Sequence, residues 1–245
     1  MYNLLKVEFY KLKHSKIFYM LCILMIMQSL CVLIPVKENF LRVKSGCDMF
    51  LFAIELQEGI FHLFVIGILS YYITNEFYSG NIRNLIASGH KRVNIVFAKT
   101  IVFCTGVVLV SFIFPVGTLI INTLKNGYGT NFDLVKFIEI IIILIFAYAA
   151  MGVIWVLISF LTKNVFVTIA SCYVIDIINR AGMALSLKSK EVDYFYSKTV
   201  FSIPRAVRYD KFNFNIDFKM IFMSLITIIV CVILSCIFFR KSDVK

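Results

Sequence analysis

Apolar residues along this chain gather into six stretches free of Asp, Glu, Lys and Arg: 17–36, 59–75, 100–124, 140–162, 164–175 and 220–239. A helix needs roughly 20 apolar residues to cross a bilayer core. Carried to their polar boundaries, these runs predict spans over 17–36, 51–74, 100–124, 138–161, 164–187 and 220–239. The fold class read from this pattern is an all-α membrane protein, six transmembrane helices in a single domain over residues 1–245. The fifth span has the shortest clean run, 12 residues, and its helix must continue through Asp176 and Arg180. Those two lie four apart on one helix face and can pair, which lowers the cost of placing either near lipid. Two readings stand: an ion pair at the outer interface, or Asp176 lining a transport cavity.

Three segments between the spans carry their own patterns. In residues 1–16, Leu5, Phe9 and Leu12 recur at spacings of four and three among Lys6, Lys11, Lys13 and Lys16. This predicts an amphipathic helix in the inner interface, lysines against anionic head groups, besides a basic flank that enforces topology. The connection over 75–99 is 25 residues long where a simple hairpin needs only a few. Ile82, Leu85 and Ile86 form a short helical stripe punctuated by Gly80 and Gly89, and Val93, Val96 and Phe97 restart a second. The stripe reads as a short helix presented to a cytoplasmic partner, or as a connector whose apolar residues pack back on the span ends. Residues 188–219 form an external segment that from Phe195 onward alternates aromatic, basic and polar side chains, too polar to span but suited to short interfacial helices.

Composition sharpens this picture. The chain is 60% hydrophobic and 16% charged, against about one-quarter charged in soluble domains. Its net charge of +11 is scattered at the ends of apolar runs, which favours a membrane surface and speaks against nucleic acid. With the N-terminus inside, inner segments carry 12 Lys and Arg and the two short outer loops five, so both termini are placed in the cytoplasm. The first run is read as a retained span, since no small-residue cleavage site follows it. Of seven cysteines only Cys47 falls in a predicted loop, so they read as small core hydrophobes.

Candidate chemistry is sparse. Glu55, Glu58 and His62 share one face of the second span, a geometry that could bind a metal, but no Glu-x-x-His from another span supplies further ligands and no metal is assigned. At about 1.5 Å per residue above Thr74, Glu58 lies about 24 Å up and Glu55 about 28 Å, near the outer face of a core about 30 Å thick. Eleven of the 14 acidic residues fall outside or in the outer membrane half. Positive-inside topology alone allows this. The functional reading is an anionic vestibule in which Glu55 and Glu58 attract a cationic substrate and Phe50, Phe52, Phe61 and Phe64 receive its apolar groups. No Gly is followed by Lys, so no Walker A loop can cradle nucleotide phosphates. Nor does a charged ring or Gly-rich filter suggest a channel.

Several stretches resemble one family. Glu8–Ile17, E-F-Y-K-L-K-H-S-K-I, looks like the amphipathic N-terminal helix of type-2 ABC exporter permeases. Glu76, Gly80, Leu85-Ile86, Lys91-Arg92 and Lys99 are similar to the family's stretch after span two, with Asn81 where Thr is usual and Lys91 where Ser is usual. The terminal F-F-R-K-S-D from Phe238 to Asp243 also fits, and the short opening is closest to permeases for bacitracin and lantibiotic immunity or antimicrobial-peptide export. The resemblance implies a non-catalytic subunit in the bacterial cytoplasmic membrane, with ATP and Mg bound by a separate dimeric ABC ATPase and no cofactor in this chain. It implies a second permease, identical or homologous, and a peptide or another hydrophobic substrate. It places the ATPase contact at Glu76, Phe77, Gly80, Ile82 and Arg83, whereas the substrate pathway is assigned to Glu55, Glu58, His62 and Asp176.

Overall fold

A computed structural model describes residues 1–31, 45–60, 62–129, 134–209 and 214–241, the side chains at 58–60, 64, 209 and 214–217 excepted. The side chain of Glu58, Phe61, the side chain of Phe64 and the first outer loop therefore lie outside the described residues. All regular structure among the described residues is helical: α1 (Tyr2–Lys13), α2 (Lys16–Cys31), α3 (Gly46–Ile60), α4 (His62–Leu69), α5 (Tyr71–Tyr78), α6 (Asn81–Ala87), α7 (Arg92–Asn126), α8 (Leu134–Thr162), α9 (Val165–Ser186), α10 (Lys190–Tyr196), α11 (Ile203–Tyr209) and α12 (Phe214–Lys241), with a 3-10 turn at Val200–Ser202. Four of them, α7, α8, α9 and α12 from Phe218, are long and apolar enough to cross a membrane, and α1 with α2 passes the same test as one pair bent by 54°.

The bend follows from local chemistry. Ser15 ends the α1 ladder, its N–H donating to Leu12 O, and its Oγ accepts from Phe18 N to open α2. An N-terminal side-chain oxygen of this kind satisfies a donor the new helix cannot. The described residues of the second apolar run lie in α3, α4 and α5, with a turn at Ser70 between the last two. Ser45 caps α3, accepting from Asp48 N and donating to Asp48 Oδ2 at 2.7 Å, a reciprocal capping arrangement.

The centre of the bundle is α8, where 61% of the most apolar stretch is buried, against 17% for α9 and α12. Trp155, Tyr148, Phe160 and Ala147 of α8 pack among Phe103 and Phe114 of α7 and Phe50 of α3, all at or below 1% exposure. Outer helix faces such as Phe166, Ile178, Phe222 and Ile229 stay exposed, as a lipid-facing surface requires. A two-residue turn joins α8 to α9: Lys163 takes a positive φ of 50°, and Asn164 Oδ1 accepts from Phe166 N and Val167 N. At the far end of α7, Gly46 N and Cys47 N donate to Gly127 O and Tyr128 O, and Asn122 Nδ2 donates to Ser45 O at 2.8 Å. A Cβ at Gly46 would run into the Thr123 side chain, so only glycine lets α3 start this close to α7.

One expectation changes. The face of α1 that packs on the protein is Leu4, Glu8 and Leu12, all buried, whereas Phe9 of the Leu5–Phe9–Leu12 stripe is 42% exposed. Period alone points to the apolar set, but Glu8 has cationic partners inside.

Candidate functional site

The 75–99 connection meets the rest of the protein through four charges. Glu8 and Lys11 are one turn apart on α1, Glu76 lies near the end of α5, and Lys99 sits in the second turn-pair of α7. Lys99 Nζ is 2.9 Å from Glu8 Oε2 and 2.6 Å from Glu76 Oε2, and Lys11 Nζ is 3.1 Å from Glu8 Oε1 and 3.0 Å from Glu76 Oε1. Each carboxylate thus holds both cations, and the quartet has no net charge. Tyr72, one turn before Glu76, donates its hydroxyl to Glu8 Oε2 at 2.6 Å and to Glu8 O at 3.0 Å. The Glu8 and Lys99 side chains are fully buried.

Three of these charges are buried and Lys11 is 30% exposed; burial of charge is costly unless each is paired and hydrogen-bonded, and here each is. Burial pushes the Glu8 carboxyl up, but Lys99, the Tyr72 hydroxyl and Lys11 outweigh it and hold it below the ordinary carboxylate value. Burial likewise pulls Lys11 down, and Glu8 and Glu76 more than reverse that.

The quartet is the foundation for α6. Gly80 enters that helix with φ 72°, in the left-handed region that side chains other than glycine disfavour. Gly89 leaves it with φ 87°, its N–H donating to Ile86 O. Ile82 is fully buried, and Asn81, Arg83, Asn84 and Ala87 face outward. Phe77 packs edge-on against Phe160 of α8 and Phe239 of α12 at 5.4 and 6.1 Å. Arg92 at the start of α7 donates to Phe239 O and Arg240 O, capping the end of α12. Of the five residues assigned to the partner contact, the structure thus turns Glu76 and Ile82 inward, half-buries Phe77 and Gly80, and exposes Arg83. Asn81, Asn84 and Ala87 share the exposed face with Arg83, and a period of 3.6 from Arg83 could have found Ala87.

The residues assigned to a substrate pathway are dispersed. Glu55 forms an ion pair with Arg208 of α11, whose guanidinium lies 4.9 Å from the centre of the Phe52 ring. His62 is 1% exposed, shares a 2.7 Å hydrogen bond with Ser111 Oγ and tilts against the Tyr148 ring at 4.8 Å. The same Ser111 has a second partner. Pro115 lacks the N–H that would bond Ser111 O four residues back, and buried Gln57 of α3 donates Nε2 to that carbonyl at 3.2 Å. Asp176 is buried on α9 and pairs with Arg180 at 2.6 Å. Among the described residues no group of three or more His, Cys, Asp or Glu could hold a metal.

Long apolar helices around a central α8, with charge concentrated in the layer beneath α6, define a multi-pass helical membrane protein. Residues 4–179 match the family model described as ABC-2 family transporter protein, and the chain belongs to that family. It is a permease subunit of an ABC exporter, the membrane partner of an ABC ATPase. A comparison with curated proteins finds no match. The matched region runs from α1 through most of α9 and contains the whole quartet.

Proposed function

We propose that this permease exports, or extracts from the outer leaflet, an amphipathic antimicrobial peptide. It does so as a non-catalytic six-span subunit of the bacterial cytoplasmic membrane with both termini in the cytoplasm. In this reading α2 begins the first span, α3 to α5 together make the second, and α7, α8, α9 and α12 supply the rest. A dimeric ABC ATPase binding ATP and Mg docks on α6, and a second permease copy or homologue completes the transporter. The supporting observation is the outward face of Asn81, Arg83, Asn84 and Ala87, held over a buried, fully paired base. Glu76 and Ile82 then serve docking by fixing α6 from beneath, with Gly80 setting its angle, Phe77 bracing it on α8 and α12, and Arg83 meeting the ATPase.

The substrate side of the proposal rests on the resemblance to peptide-immunity permeases and on the rim around Glu55, with Glu58, His62 and Asp176 along the path. The Glu55–Arg208 pair offsets charge there, which favours selection by apolar groups and keeps a second reading in play: export of another hydrophobic molecule, such as a drug or lipid-linked compound. Expression beside candidate ATPases, followed by co-purification and resistance assays, tests the proposal. Protection against cationic peptides that drops in Glu55→Gln with Glu58→Gln, and not against neutral ones, supports peptide export. Equal protection in all backgrounds at normal abundance removes the peptide from the assignment.

A further inference from the structure

One cavity has nothing to do with α6. It lies between α10, α11 and the start of α12, has a volume of about 380 Å³, and is lined by Asp193, Arg205 and Lys219 together with Ile203, Met220 and Met223 among others. A volume of this size falls in the range of small-molecule sites, roughly 300–1,000 Å³. Lys219 is the last charged residue before the uncharged run 220–239, so the cavity adjoins the start of that run. Tyr194 and Phe195 of α10 are 59% and 71% exposed beside it, the residue type enriched at membrane–water interfaces.

The lining combines charged and apolar side chains. Arg205 is fixed by donation from Nη1 to Ser186 Oγ at 3.0 Å, and guanidinium offers five N–H donors in all, so most of its donor capacity remains for a ligand. Lys219 adds a second cation. The methionines give a polarisable, adaptable apolar wall, and Ile203 is 1% exposed. Two cations beside apolar side chains suit a phosphate joined to an acyl chain. Asp193 on the same wall would repel a bare phosphate, and it matches a head group that carries its own ammonium next to the phosphate.

We propose that this cavity is a binding site for the head group of a membrane phospholipid bearing phosphate and a primary ammonium, with Arg205 and Lys219 holding the phosphate and Asp193 the ammonium. Its first methylenes lie along Met220 and Met223. The proposal rests on the membrane location of the chain and is independent of what the transporter exports.

The test uses the full chain, delipidated in mild detergent and exposed to phosphatidylethanolamine, phosphatidylcholine or phosphatidylglycerol, with retained lipid counted by native mass spectrometry. Phosphatidylethanolamine should be retained about tenfold over the other two, and Arg205→Gln with Lys219→Gln should bring it to their level. Asp193→Asn should leave phosphate binding in place while abolishing the preference for phosphatidylethanolamine over phosphatidylglycerol, a change of selectivity that misfolding would not produce. Equal retention of all three lipids, or retention indifferent to these substitutions, overturns the site. Inorganic phosphate that displaces the lipid at equal concentration identifies a free-phosphate site instead and overturns the lipid assignment.

Discussion

Glu8 and Lys99 lie 91 positions apart and meet at 2.9 Å inside the protein, both side chains sealed from solvent. Removing the cation alone strands Glu8 and Glu76 with Lys11 only, and an unpaired buried charge of this kind costs on the order of 3–5 kcal/mol. Lys99→Met should therefore depress membrane abundance and thermal stability more than the double variant Glu8→Gln, Lys99→Met, which leaves Glu76 with Lys11. Melting curves of the purified permeases check this; a double variant worse than the single by the full sum would mean the residues contribute separately.

The pH dependence has two sides. Glu8 has a lowered value in the folded protein, so its contribution is complete above the ordinary value of 4.5 and is lost as pH falls through the lower folded one. Lys11 is raised, so its contribution is complete below 10.5 and is lost as pH rises through its higher folded value. Proteolysis of α1 should stay slow between these limits and accelerate beyond each. Glu8→Gln should flatten the acid side specifically.

Residues on opposite faces of α6 should separate two phenotypes. Arg83→Glu is expected to leave abundance unchanged and weaken ATPase co-purification, whereas Ile82→Asp should lower abundance itself. Gly80→Val strains a left-handed backbone by about 1–2 kcal/mol without steric conflict inside the chain, since no heavy atom lies within 4 Å of a Cβ there. Its effect should appear as ATP hydrolysis poorly matched to transport, read by comparing the two rates in vesicles.

At Pro115 the prediction is a thermodynamic cycle. Gln57→Leu leaves Ser111 O without its donor, a loss of about 1–3 kcal/mol for a buried group. In a Pro115→Ala background the restored N–H can bond that carbonyl, and Gln57→Leu should then cost much less. Equal costs in the two backgrounds would show that the Gln57 bond does not replace the missing helix bond.

Much of the architecture was legible because lipid imposes it. The uncharged runs 100–124 and 140–162 fall inside α7 and α8, and α9 continues through Asp176 and Arg180, which pair as their spacing allows. Pairings between distant segments were not legible. Glu76 stands in a polar connection and reads as an outward contact, yet its cations come from α1 and from 23 residues downstream. Glu8 broke the apolar period of α1, and periodicity discounted the residue that anchors the helix.

The 35 residues of α7 make a rod about 52 Å long, well beyond a bilayer core of about 30 Å. One end is gripped by the carbonyls of α12 and the carboxylates of α1 and α5, the other by Ser45 at the head of α3. A beam clamped at both ends can flex only where its own ladder is already interrupted, at Ser111 and Pro115. Any displacement entering at the clamp formed by α1, α5 and α12 would therefore be spent as bending at that joint, beside His62 and Gln57, rather than as a sliding of the whole helix.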